Sequence, residues 1–465
     1  MAVTLGPLDL VVVDSLETAL HTHFGWSRFR AGQRPVVEAV LSGRDALAVL
    51  PTGGGKSLCY QLPALIRGGL VVVISPLVAL MEDQVLQLRR RGIAAACLHA
   101  GLDPVRRQQA MAALRDESLR LLYLAPERLQ GEATQRLLET HAAEGRLVAL
   151  AVDEAHCISA WGHDFRPDYR RLGLIRRLCP GVPMLALSAT AAPRVRADIL
   201  RLLDLRSPLV QVSSARRENL RYAMQRRPRD PMPQVLEALE QSRGATLIYA
   251  RTRRSVEHWA ERLQGQSVEA TPYHAGLDPA TRQTALTQFL EQERPVLVAT
   301  VAFGMGVDRG DVGLVLHLDL PSTPEGYLQE SGRAGRDGQP ARCLVLFSPG
   351  DRTSLGWAMQ AAAGQGTTAD ERHRLDLAQQ QLRRMEAVAE GEMCREQALL
   401  LAVGELVDPC GRCDRCSASP KRKDWSRQAT TLLTHLDDLD GTDMRRLGEH
   451  LALHETGQGE RWTWL

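Results

Sequence analysis

Short apolar runs recur along the chain, separated by stretches with helical spacing of hydrophobic positions. Asp45–Leu50, Leu70–Ser75, Leu121–Leu124, Val148–Asp153 and Met184–Ser188 form a first series. Thr246–Ala250, Val296–Thr300, Leu314–Leu318 and Cys343–Phe347 form a second. None alternates polar with apolar, so they predict strands of parallel sheets buried on both faces. With helices between, this is an α/β protein of two successive lobes. A helix is predicted from Ser15, after an apolar patch at Leu8–Val13. Residues 205–235 shift to Arg, Pro and polar residues. Arg226-Arg-Pro-Arg-Asp-Pro-Met-Pro233 reads as a linker entering a helix. Residues 366–393, rich in Gln, Arg and Glu with Leu at helical spacing, predict a solvated helix pair.

An internal repeat supports two lobes. His99-Ala-Gly-Leu-Asp-Pro104 recurs as His274-Ala-Gly-Leu-Asp-Pro279, and Arg107-Gln108 matches Arg282-Gln283 at the same offset. The strands that follow, Leu121–Leu124 and Val296–Ala299, stay in register. A strand–turn–helix–strand unit is duplicated, with Asp as helix cap and Pro at the first helical position.

The chain has 465 residues, room for about three domains. At 44% hydrophobic and 24% charged it is globular. No apolar run reaches the ~18 residues of a membrane span, and no basic-then-apolar leader precedes the fold, so a cytoplasmic protein without membrane partners is expected. The net charge of +2 neither demands nor excludes nucleic acid. Local patches at Arg89–Arg91, Arg216-Arg217, Arg226-Arg227 and Lys421–Lys423 each read as a solvated face. Among the cysteines, Cys59, Cys97, Cys157, Cys179 and Cys343 are scattered in apolar surroundings as core residues, whereas Cys394, Cys410, Cys413 and Cys416 cluster. Four thiolates without an export signal suit a tetrahedral structural zinc ion.

The candidate chemistry starts at Leu50-Pro51-Thr52-Gly53-Gly54-Gly55-Lys56-Ser57, between a strand and a helix. Its glycines let backbone N–H groups close around phosphates, and the helix N-terminus adds positive charge. Lys56 is expected to reach the β/γ-phosphates and Ser57 to ligate Mg²⁺ of bound ATP. Asp153-Glu154-Ala155-His156 ends another strand: Asp153 would hold the same Mg²⁺, Glu154 would orient water, and His156 would link to the other lobe. Ahead of the loop, Phe24-Gly25-Trp26-Ser27-Arg28-Phe29-Arg30-Ala31-Gly32-Gln33 offers either an adenine clamp, with the Gln33 amide and an aromatic ring, or a helix entry with buried aromatics. Trp161, Phe165 and Tyr169 bring three aromatics into nine residues of a chain that is 4% aromatic. Beside Arg166, Trp161 and Phe165 are either base-stacking groups or core. Ser188-Ala-Thr190 ends a further strand. In the second half, Phe303-Gly-Met-Gly-Val-Asp308 suggests close backbone approach to a ligand. Gln329-Glu-Ser-Gly-Arg333-Ala-Gly-Arg336 sets two arginines on one helix face.

In order and spacing these motifs resemble RecQ DNA helicases of helicase superfamily two, from residue 15 to 416. The resemblance implies RecA-like helicase lobes at 1–207 and 208–355, a zinc-binding subdomain at 356–420 and a short helical tail at 421–465. It implies nucleotide contacts from Phe24, Arg30, Gln33, Thr52, Gly53, Gly54, Gly55, Lys56, Ser57, Asp153, Asp308 and Gln329. It further implies Arg336 as arginine finger assisted by Arg333, DNA contacts from Trp161, His163, Phe165 and Arg166, and zinc on the four clustered cysteines. The implied activity is ATP-driven 3′→5′ stepping on single-stranded, 3′-tailed or forked DNA in recombination and repair. A monomer is expected, with single-stranded-DNA-binding or recombination proteins as candidate partners. Only 49 residues follow Cys416, so at most the first two helices of a winged helix are expected there, and weak unwinding with them; Trp462 and Trp464 have no assigned role. An RNA helicase and a nucleic-acid-binding protein without turnover are the competing readings.

Overall fold

The computed structural model describes residues 13–418 except 163, 302, 304–308 and 364–368. The first lobe is a seven-stranded, wholly parallel sheet: β1 (Ala46–Val49), β2 (Leu70–Ile74), β3 (Ala95–Leu98), β4 (Leu121–Leu124), β5 (Leu147–Val152), β6 (Met184–Ser188) and β7 (Leu209–Val212), in the order β3-β4-β2-β5-β6-β1-β7. Eight helices surround it: α1 (Val13–Phe24), α2 (Gln33–Leu41), α3 (Leu58–Arg67), α4 (Val78–Arg90), α5 (Pro104–Arg115), α6 (Glu132–Ala143), α7 (Gly173–Leu178) and α8 (Pro193–Leu202). The continuous apolar runs become strands because both faces are covered. Ala46, Ala48 and Leu50 pack into one core with Val36, Val40 and Leu62. Leu47 and Val49, on the opposite face, pack with Leu138 and Ile199.

The second lobe is a six-stranded parallel sheet of β8 (Leu220–Arg226), β9 (Ala245–Tyr249), β10 (Ala270–Tyr273), β11 (Val296–Ala299), β12 (Val312–His317) and β13 (Ala341–Phe347), ordered β10-β11-β9-β12-β13-β8. Its helices are α9 (Met232–Glu240), α10 (Arg253–Gln264), α11 (Pro279–Glu291) and α12 (Pro324–Ser331). Strand for strand this is the order of the first sheet without β7, so the duplication seen as a hexapeptide extends to the whole lobe. The repeat itself forms the corresponding β3–β4 and β10–β11 edges. Asp103 caps α5 by accepting from the amides of Val105 (2.7 Å) and Arg106 (3.1 Å). Asp278 caps α11 by accepting from Ala280 and Thr281, both at 3.0 Å. The repeated histidines also correspond: His99 Nε2 lies 3.4 Å from Glu82 of α4, and His274 Nε2 lies 3.1 Å from Glu257 of α10.

Two readings of the pattern are corrected. The first lobe does not end at residue 207: the polar segment 205–235 contains β7 and β8, edge strands whose half exposure tolerates polar residues; within it Arg226–Pro233 runs into α9 at Met232, as expected. β7 lies beyond residue 207 yet pairs with β1. The expected helix pair at 366–393 is one 22-residue helix, α14 (Ala369–Glu390), preceded by α13 (Pro349–Ala363). With α15 (Arg395–Ala402) and α16 (Asp414–Ser417), α14 closes the described chain. This last module shares a core with the second lobe: Met385, Leu399 and Cys413 pack with Tyr327, Leu220 and Cys343.

The arginine pairs work as ties rather than as solvated faces. Arg227 pairs with Asp319 (2.7 Å) and Asp351 (2.5 Å). Arg226 pairs with Glu390 (2.9 Å). Arg217 donates to the carbonyls of Ala334 (3.2 Å) and Gly335 (2.6 Å). The five scattered cysteines are buried. Lys421–Lys423, the tail, Trp462 and Trp464 lie outside the described residues.

Candidate nucleotide site and cysteine cluster

The C-terminal ends of β1, β5 and β6 meet at one edge of the first sheet, where open parallel sheets bind ligands. The Thr52–Ser57 loop leaves β1 there. Gly53 (φ +79°) and Gly55 (φ +72°) take left-handed backbone that a side chain would strain. A Cβ on Gly54 would sit 2.8 Å from the Pro51 carbonyl oxygen. Among the described residues, the amides of Gly53, Gly55, Lys56 and Ser57 donate to no backbone carbonyl. Four amides turned out at the start of α3 make an anion cradle.

Asp153 and Glu154 follow β5 and are buried, each 7% exposed. Burial first, and then the Glu154 charge, push the Asp153 carboxyl up to about 6, while Lys56 pulls it down. Lys56, and after it His156, are the cations of the chain that offset this burial. Glu154 takes left-handed backbone (φ +47°) as a non-glycine residue, a strain of order 1 kcal/mol that recurs at functional sites. Its carboxylate lies 3.2 Å from His156 Nδ1. The same nitrogen lies 3.1 Å from Ser188 Oγ, and Ser188 Oγ donates to the Thr190 carbonyl at 2.7 Å. Burial opposes charge on His156, but Cys157 and Glu154 outweigh it and push the ring up to about 10. His156 thus ties the end of β5 to the end of β6 within its own lobe.

Across the cleft, α12 ends at Ser331, so Arg333 and Arg336 lie on the turn that follows it rather than on one helix face as expected, and that turn faces the loop. A Cβ at Gly332 would lie 3.0 Å from Thr52 Cβ, and one at Gly53 would lie 3.5 Å from Arg336 Cγ. Thr52 and Thr190 on one side and Arg217, Leu328 and Gly332 on the other enclose a cavity of about 20 Å³, water-sized. Arg333 is buried, 7% exposed. Gln329 is half-buried on α12. Asp308 and His163 lie outside the described residues.

The segment before α2 is bound to the same loop. Gln33, 1% exposed, donates from Nε2 to the carbonyls of Gly54 (3.0 Å) and Gly55 (2.9 Å), while its Oε1 accepts from the Arg30 amide (2.8 Å). The Arg30 guanidinium donates to the Gly53 carbonyl. Both ends of the Gln33 amide are engaged by the protein, so it acts here as a strut under the glycines. Phe24 is buried, stacked on Trp26 at 5.5 Å. Of the two alternatives in the sequence, the described structure shows the helix entry with a buried aromatic.

The aromatic-rich loop is half-buried. The Arg194 guanidinium lies 3.4 Å over the Trp161 ring, and His373 of α14 meets its edge at 6.1 Å. Arg170 and Arg374 flank Phe165 at 5.0 and 5.8 Å. Arg166 is held by Asp164 (2.9 Å) and the Pro76 carbonyl (2.8 Å), which connects the loop to the start of α4.

The sulfurs of Cys394, Cys410, Cys413 and Cys416 lie within 4.8 Å of one another, and Cys394 to Cys413 spans 3.9 Å. A tetrahedral zinc with ~2.3 Å bonds places its sulfurs about 3.8 Å apart. The amides of Cys410, Cys413 and Cys416 donate to neighbouring cluster sulfurs at 3.2, 3.3 and 3.4 Å, which favours thiolates. The donor set fits the metal.

Family comparison agrees with this geometry. Residues 30–199 match the DEAD/DEAH box helicase model, 230–338 the helicase conserved C-terminal domain and 349–417 the RecQ zinc-binding model. An ATP-dependent DNA helicase RecQ of Pasteurella multocida is 38% identical over 450 residues, covering 96% of this chain and 67% of the relative. The chain belongs to the RecQ helicase family. The RecQ of Haemophilus influenzae is 39% identical over 88% of this chain and 64% of its own length, so the chain spans about two thirds of these curated RecQ proteins. The Mycobacterium smegmatis helicase Lhr, bound to single-stranded DNA and AMP-PNP, shares the fold: TM-score 0.57 at 20% identity, over 78% of this chain and 50% of that one.

One site contributor of this RecQ chain, Asn219, was invisible in the sequence, and the role of a second, Glu405, was not legible there. Asn219 donates to the carbonyls of Gly335 and Gln339, both at 2.8 Å, and with Arg217 pins the turn between Arg333 and Arg336. Glu405, beyond α15, accepts from the Ala215 amide at 2.9 Å and from Ser214 Oγ, tying the zinc-binding module to the strip between the lobes. No local motif marks Asn219, whose partners are over a hundred positions away; Glu405 belongs with Gly404 to the pattern of the cysteine module, but its partners at 214 and 215 are equally remote.

Proposed function

We propose that this chain is an ATP-dependent 3′→5′ DNA helicase or translocase. One observation carries the reading: the Arg336 side chain of the second lobe packs on Gly53 of the first lobe's phosphate-type loop, within one cleft. An arginine that reaches a nucleotide from a separate lobe makes hydrolysis depend on lobe closure, and closure and opening against DNA give stepping. In this scheme the amides of Gly53–Ser57 bind the phosphates, and Lys56 neutralises the β/γ oxygens. Ser57 and Asp153 would hold a magnesium ion, which supplies charge for phosphoryl transfer. Glu154 orients water and receives support from His156. Arg336 meets the charge that develops in the transition state, with Arg333 beside it. Phe24, Arg30, Gln33, Thr52 and Gln329 frame the nucleotide; Asp308 is assigned by resemblance.

DNA is the nucleic acid proposed, in single-stranded, 3′-tailed or forked form, held by phosphate contacts and by Trp161, His163, Phe165 and Arg166. Zinc is proposed on the four cysteines as a structural ion. A first lobe extended through β7 to residue 212, a second lobe to 355 and a module at 356–420, with a monomeric state, a cytoplasmic location and work in recombination and repair, complete the proposal. Among the described residues no helix is long and apolar enough to cross a membrane. ATPase assays with single-stranded DNA or RNA, and unwinding assays on 3′-tailed, 5′-tailed, forked and blunt DNA, test it. Stimulation by DNA over RNA and preference for 3′ tails are expected; stimulation by RNA alone would overturn it.

A further inference from the structure

Beneath the two arginines lies a buried chain of contacts that the nucleotide scheme does not use. Tyr249 ends β9 and His317 ends β12, directly opposite each other in the parallel register. Their rings stack at 4.8 Å with planes 28° apart. Both are buried, Tyr249 at 2% and His317 at 3% exposure. On one side, the Tyr249 hydroxyl donates to the Phe303 carbonyl at 3.0 Å, in the segment that follows β11. On the other, His317 Nε2 lies 2.8 Å from Glu330 Oε2 on α12. Three residues on, the Arg333 amide donates to the Glu330 carbonyl at 3.3 Å. The Arg333 guanidinium also acts on the Tyr249 hydroxyl, by charge and by hydrogen bonding.

We infer that Tyr249 is a positioning residue that couples the segment after β11 to the arginine-bearing turn that follows α12, through its hydroxyl on Phe303 and its ring on the His317–Glu330 pair. The inference deepens the ATPase reading above and rests on it. Packing alone does not require this arrangement. A phenylalanine at 249 would fill the same space and stack on His317 equally well, and the hydroxyl finds its acceptor in a loop rather than within its own sheet. The hydroxyl fixes where the Phe303 backbone stands relative to α12. A shift of that backbone, as when a ligand engages the glycine-rich segment after it, alters the support under Glu330 and Arg333. Arg336, six positions after Glu330, then moves relative to Gly53. The relay predicts that Tyr249 governs how strongly DNA accelerates ATP hydrolysis, and not the basal rate or the DNA affinity.

The test uses the full chain with Tyr249→Phe, which keeps the ring and removes only the oxygen. Steady-state ATPase is measured with and without oligothymidylate, alongside anisotropy titration of the same DNA and thermal unfolding. We expect basal turnover, the KM for ATP and DNA affinity to stay within about twofold, while the DNA-stimulated kcat falls about fivefold. Glu330→Gln should reproduce the pattern, and the double variant should be no worse than the more affected single one. If wild type is stimulated and Tyr249→Phe is stimulated equally, the relay is overturned and the function stands. The relay is likewise overturned if Tyr249→Phe loses basal and stimulated turnover in proportion with a lowered melting temperature, as a core defect would. If the wild-type ATPase ignores DNA, the proposed function falls and the relay with it.

Discussion

Asp153 is held in a place that disfavours its own charge. Its carboxyl is raised to about 6 from a reference of 3.8. A carboxyl raised on folding contributes its stability fully below pH 3.8 and loses it as pH rises through 6. At pH 7.5 the ionised group therefore costs the fold about 3 kcal/mol, from two units at ~1.4 kcal/mol each. Asp153→Asn should raise the melting temperature of the nucleotide-free protein at pH 7.5, with the gain vanishing near pH 4, while ATP hydrolysis is lost. A destabilised variant at pH 7.5 would contradict this account. Lys56→Ala removes the first of the chain's own counter-charges to Asp153. It should abolish ATP hydrolysis and leave the dissociation constant for single-stranded DNA nearly unchanged; retained turnover would refute the loop assignment. Arg336→Ala should lower kcat by ~10³–10⁵ with little change in nucleotide affinity, because in the proposed scheme the arginine meets charge that develops during transfer. A rise in KM with kcat intact would instead make it a ground-state binder.

At the scale of elements, the zinc-binding module stands on one buried arginine. Arg395, 1% exposed, donates to Asp414 (3.0 Å) and to the carbonyls of Val388 and Gly391, so it joins α14, α15 and α16. Arg395→Ala leaves the Asp414 carboxylate to the Met224 and Arg415 amides and removes the donor from two carbonyls. It should cost the module ~1–3 kcal/mol, read as zinc loss at lower chelator concentration and earlier proteolysis after residue 390. Unchanged zinc retention would sink this role. Much of this level was legible beforehand. The central strands showed as unbroken apolar runs, and the caps Asp103 and Asp278 showed in the repeat. Edge strands β7 and β8 did not, because Arg221, Gln225 and Arg226 face solvent or ion partners and erase the apolar run. α14 looked like two helices because its polar face is broad; the split was read from composition where no breaker stands. The loop, the Asp153–His156 turn and the cysteines were legible because their spacing is local. The Gln33 strut, the Asn219 pin and the His317–Glu330 pair depend on distant partners and leave no periodic trace.

For the whole molecule, the matching strand orders put β8 where β1 stands in the first lobe. The residue after each strand makes the same bond: the Leu50 amide donates to Ser188 at 3.0 Å, and the Arg227 amide donates to Phe347 at 2.7 Å. Beyond that point the copies part. The first continues into a glycine loop with free amides, whereas in the second the Arg227 side chain folds over the strand ends onto Asp319 and Asp351. The duplicate's equivalent of the phosphate cradle is thus plugged by an internal ion pair. Calorimetric titration with a non-hydrolysable ATP analogue should therefore give a stoichiometry of one per chain rather than two. Under the proposed scheme, a motor with two like halves would have a single firing chamber, with its second half as the piston.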